Sequence, residues 1–128
     1  MDISSVVRLG LATRPASEED LDRVRRRIGA DLPCPLEEFY KLTDGFVSPS
    51  GIAVYEASSL LERNETAEIE VYAPGYVLFG DDSGGRGFLM SLNDGDGRVF
   101  SSDLGDLSPR YFDEDAASLK DWLGLLPG

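Results

Sequence analysis

The chain has 128 residues, 41% apolar and 28% charged, which suits one compact domain with a core and excludes global disorder. It carries 24 acids against 12 bases, a net charge of −12, with no histidine and a single cysteine, Cys34. Serine–histidine and cysteine–histidine nucleophile pairs are therefore excluded, as are zinc sites built on His and Cys and any disulfide within the chain.

No stretch approaches the roughly 18 continuous apolar residues of a membrane helix, and MDISSVVRLGL has no apolar run of signal-peptide length. A cytoplasmic protein without membrane contact is expected. In chain order, Ser17 starts a helix as its N-cap, with Glu18, Glu19 and Asp20 in the first turn. Leu21, Val24 and Ile28 share one face, and Gly29 supplies the stop. Arg23, Arg25, Arg26 and Arg27 fan around this helix, which reads as a solvated surface and not a nucleic-acid contact. LPCPLEEFYKLTDGF (32–46) predicts a second helix with Pro35 in the first helical position, an apolar face of Leu36, Phe39 and Tyr40, and an end at Gly45. Cys34, between two prolines, reads as a structural thiol.

The period then changes. GIAVYEA (51–57) predicts a strand and SSLLERNE (58–65) a short helical turn. YVLFG, GFLMSL and RVFSS predict three strands joined by Gly/Asp turns, an antiparallel meander. DEDAASLKDWLGLL (113–126) predicts a last helix with acids at its start and Leu119, Trp122 and Leu123 inward. The expected fold is α+β: a single domain with an antiparallel sheet of about four to six strands flanked by helices.

The octet GDDSGGRG (80–87) has the glycine spacing of a phosphate loop, but Arg86 stands for the required lysine, Gly87 for the magnesium-binding hydroxyl, and a strand follows instead of a helix. Asp82-Ser-Gly-Gly85 has the form of a protease nucleophile loop, without a histidine to take the proton. Asp81-Asp82 and the run from Asn93 to Gly97 invite a calcium reading, but Arg98 occupies a ligand position and no glutamate closes the loop. Both stretches read as tight turns, with Gly84, Gly85 and Gly87 in conformations other residues resist. No catalytic residue, cofactor site or metal site is expected, although the abundant carboxylates leave a small enzyme as a competing class.

The order of these pieces resembles the SUKH superfamily, the domain of fungal Smi/Knr-type cell-wall regulators and many bacterial immunity proteins. The resemblance lies in IGADLP, in PLEEFYKLTDGF with its proline, tyrosine and Asp44-Gly45 in place of Asn-Gly, in GIAVYEA, YVLFGDDSGG and GFLMSL, and in SLKDWL. It covers about residues 17–125, so residues 17–128 form the expected domain and 1–16 a segment without family signal. It implies a non-catalytic domain whose bacterial members often bind and neutralise a toxin directed at nucleic acid. It also implies structural roles for Gly45, Gly80, Gly84, Phe39, Tyr40 and Trp122.

Charge agrees with that implication. Residues 64–115 hold twelve acids against three arginines. A surface of this sign repels nucleic acid and attracts a basic partner, for which a toxin domain is the expectation; the plainer reading is that acidity keeps the protein soluble. The candidate partner-binding residues are Asp81 and Asp82 in one turn, Asp94 and Asp96 in the next, and Glu65, Glu68 and Glu70 ahead of the sheet. Successive turns alternate between sheet ends, so the two aspartate pairs are expected at opposite ends, with the glutamates extending one of them. The alternative function is a regulatory or scaffold module of the same fold. A monomer or weak dimer is compatible with either.

Overall fold

The structure, a computed structural model, describes residues 2–93 and 97–127. Its first helix, α1 (Ser4–Arg8), has no counterpart in the sequence reading; one turn of SSVVR is too short for periodicity to register, and burial of Val6 holds it. α2 (Glu18–Ile28) starts and stops as its local signals dictate. The Asp20 amide donates to Ser17 Oγ at 3.1 Å, and Gly29 takes φ 75°. α3 (Cys34–Tyr40) ends five residues before Gly45, so that glycine is not a helix stop, and Cys34 is exposed, not packed as a structural thiol.

Gly45 has a different task. At φ 72° its missing Cβ leaves room for the Val54 carbonyl, with the Tyr55 carbonyl carbon 2.9 Å from where that Cβ would lie. The chain then forms β1 (Phe46–Val47) and β2 (Ala53–Val54), a narrow hairpin that uses only two residues of the expected 51–57 strand. The expected helical turn after it is a ten-residue helix, α4 (Ala57–Thr66), followed by the short α5 (Ile69–Tyr72). β3 (Tyr76–Asp81), β4 (Arg86–Ser91) and β5 (Val99–Asp103) are the predicted meander. The DEDA segment, expected to open the last helix, is instead an edge strand, β6 (Asp113–Ala116). The true N-cap of α6 (Leu119–Gly124) is Ser118, whose Oγ accepts from the Asp121 amide at 3.1 Å.

Among the described residues, six helices accompany one six-stranded sheet in sequential order β1 to β6, every neighbouring pair antiparallel. This is an α+β single domain. Cross-strand register divides its two faces. Leu78, Leu89 and Phe100 pair in one row, and the segment after β5 folds back over them through Leu104 and Phe112. Phe88 and Met90 point the other way, toward Trp122 of α6 and Pro35 of α3. The first residues are fastened on by main-chain bonds from Ala16 to the Tyr40 carbonyl, 2.8 Å, and from Asp44 to the Arg14 carbonyl, 2.9 Å. Arg25 clamps α2 to α3 by donating to Glu37 at 2.6 Å, while also meeting Asp22 and Glu18, and these bonds push its pKa further up.

Candidate partner-binding site

The octet is the β3–β4 turn. The Asp82 amide donates to the Arg86 carbonyl at 3.0 Å, and Asp82 Oδ1 accepts from the Gly84 and Arg86 amides at 2.7 and 3.0 Å. Asp81 Oδ1 accepts from the Ser83 amide and its Oδ2 from the Tyr55 hydroxyl, at 2.9 and 2.6 Å. Of the three glycines singled out there, Gly85 alone has a left-handed φ, 99°; the other left-handed residue of the turn is Ser83, at 63°, held by its bond to the Gly51 carbonyl. Gly87 leaves space that the leucines fill: a Cβ there would lie 2.6 Å from Leu104 Cδ2, so that side chain would have to shift.

Both aspartates are thus tied into the hairpin. The Arg86 and Gly84 amides hold the Asp82 carboxyl below its ordinary pKa. A depressed folded-state pKa contributes stability that is fully present above the unfolded value of about 3.9 and is lost as pH falls through the lower folded value. A carboxyl-detected NMR titration should place Asp82 below the ordinary aspartate value, with the Gly84 and Arg86 amides shifting at the same midpoint. An ordinary midpoint would mean that the turn bonds are absent in solution.

Asp94 and Asp96 lie outside the described residues. Glu65, Glu68 and Glu70 come together along a groove of about 680 Å³ where the C-terminal end of α2, α4, α5 and the start of β3 meet. Its apolar lining includes Ile28, Leu61, Ala73, Pro74, Tyr76 and Leu92. Arg27 is the base in that lining, and Glu65 holds it at 3.1 Å. Glu68 and Glu70, both exposed, make no side-chain hydrogen bond or ion pair to any described residue. The groove and the Asp81–Asp82 turn sit at opposite ends of β3, about 17 Å apart for six residues at strand rise.

The remaining acids of the sheet are partnered. Asp113 meets Arg86 at 2.8 Å, Glu114 meets Arg98 at 3.5 Å, and Asp115 accepts from Ser101 at 2.9 Å. Acids along an edge strand also discourage pairing with other sheets. No group of three or more His, Cys, Asp or Glu able to hold a metal is found among the described residues, and no described helix is long and apolar enough to cross a membrane.

The PLEEFYKLTDG motif is a fastening. The fully buried Tyr40 hydroxyl donates to the Tyr55 carbonyl at 2.7 Å, and burial pushes its pKa up. Asp44 Oδ1 accepts from the Ala57 amide at 2.8 Å, closing the first turn of α4 from another segment. The sequence reading missed Asn64, which bonds both main-chain groups of Leu78. Its signal was there: Asn64 follows Leu60 by one helical turn, a polar residue on an apolar face.

The chain matches the SMI1 / KNR4 family (SUKH-1) over residues 15–124, most of its length, and belongs to that family. No curated protein matches it.

Proposed function

We propose that this SUKH-1 chain is a non-catalytic, cytoplasmic immunity protein that neutralises a cognate toxin by direct one-to-one binding. The observation that carries the reading is the charge: −12 overall, concentrated after residue 30, with Glu68 and Glu70 unpaired among the described residues beside an apolar groove. An enzyme that grips a polyanion must present a basic cleft, and an acidic protein is complementary to it. Attraction of that kind raises association toward about 10⁸–10⁹ M⁻¹s⁻¹ at low salt. The polar groups that the fold organises most closely, at Arg25, Asp44, Tyr40 and Asn64, bond to neighbouring elements of the same chain. Surface charge and apolar side chains are what remain for a partner.

The test is to read the genes adjacent to this one for a toxin and to co-express that toxin with this protein. Growth restored by the full-length protein, together with a one-to-one complex on gel filtration, is the expected result. Continued growth arrest with no complex would overturn the reading in favour of a regulatory module.

A further inference from the structure

We infer that the groove between α5 and the start of β3 receives a short segment of the partner that presents an apolar side chain flanked by lysine or arginine. This rests on the protein-binding reading above and adds the place and the chemistry. The apolar lining asks for a hydrocarbon occupant, and about 680 Å³ is enough for one or two large side chains. The three glutamates around it ask for positive charge, because Arg27 answers only Glu65. Lysine and arginine meet both demands at once: their stems lie along apolar surface while their heads reach the carboxylates. Val71 in the lining and Tyr72 next to it are 68% and 56% exposed, large apolar side chains of the same surface.

Charge also excludes other occupants. Phosphate and nucleic acid would be repelled by the glutamates. A second copy of this chain carries the same net charge of −12, and Arg23, Arg25 and Arg27 of its α2 already face acids of their own chain, so self-association is disfavoured against a basic partner. The acids of β6 and of the β3–β4 turn are engaged within the chain, whereas at the groove two open carboxylates, Glu68 and Glu70, stand beside an apolar lining.

The probe is a synthetic six-residue peptide, Leu-Phe flanked on each side by two lysines, titrated into the isotope-labelled full-length protein. Saturable shifts should centre on Leu61, Ile69, Ala73 and Tyr76, and the same peptide with glutamates for lysines should produce none. Glu68→Lys with Glu70→Lys should weaken binding by about tenfold or more, whereas Asp113→Lys with Asp115→Lys should change it less than about twofold. The Glu68→Gln, Glu70→Gln pair, checked for an unchanged melting temperature, guards against a folding defect. Shifts spread over every acidic surface, centred on β6, or absent at millimolar peptide would each overturn the inference. The growth assay separates the two proposals. Rescue that survives the Glu68→Lys, Glu70→Lys change removes the groove and leaves the immunity role. Peptide binding in the groove without any rescue does the reverse.

Discussion

Replacing Asn64 by Asp should destabilise the protein by about 1–3 kcal/mol at neutral pH, the cost of leaving buried polar groups unmatched, here at a half-buried side chain bonded to the buried Leu78. The side chain repairs a gap in the sheet. β2 is two residues long and pairs with β3 only at Gly80 and Asp81, so Leu78 has no strand partner on that side. Asn64 Oδ1 accepts from the Leu78 amide, and its Nδ2 donates to the Leu78 and Leu60 carbonyls, all at 2.8 Å. Asp removes both donations and sets a carboxylate against two carbonyl oxygens. The ionised form is then disfavoured in the fold, so the folded-state pKa rises above the unfolded value of about 3.9. The penalty is complete above that raised pKa and shrinks as pH falls toward the unfolded value. Urea unfolding at several pH values should therefore show Asn64→Asp approaching wild type as the solution is acidified. Asn64→Leu should lose stability without that pH dependence. Equal, pH-independent losses would mean that Asn64 does not bridge α4 to β3.

The same gap shows what the sequence could and could not disclose. α2 was legible because its signals are local: Ser17 caps it, Gly29 ends it, and its apolar residues recur at helical spacing. The meander was legible because Tyr76–Asp81 and Arg86–Ser91 are apolar runs broken by turn residues. β6 was not. Asp113, Glu114 and Asp115 have low strand propensity and stand just before a real helix, so they imitate first-turn acids. Pairing to β5 makes them a strand, with Arg86 of β4, Ser101 of β5 and Arg98 just ahead of β5 as partners, and no local signal announces those contacts. β1 and β2 are shorter than any periodic pattern, and Gly45 read as a helix stop because its close approach to β2 is a tertiary fact. Of the candidate site, the glutamates were legible as charge. Their convergence on one groove depends on Glu68 taking φ 54° between α4 and α5, which nothing in the residues around it requires.

Trp122→Ala should cost about 3–5 kcal/mol, the range for emptying a large aromatic site in a core. The indole is 6% exposed and meets two rings edge-on, Phe79 at 5.5 Å and Phe88 at 5.0 Å between centroids. Such contacts add to the burial itself. Phe79 is the residue that the β3 irregularity leaves between the pairs Leu78–Leu89 and Gly80–Phe88, so the indole braces the sheet where its ladder is interrupted. Trp122→Phe should lose much less, because a ring still meets both neighbours. The site also separates stability from recognition. Trp122 packs on the face shared by Phe88 and Met90, whereas Tyr76 at the groove touches Phe100 and Phe112 on the other face. Partner affinity measured well below the variant's melting temperature should accordingly stay within about twofold of wild type, as for changes at distant, independent sites. A variant that kept its stability and lost its partner would make Trp122 a contact residue, and α6, not the α5–β3 groove, the binding surface.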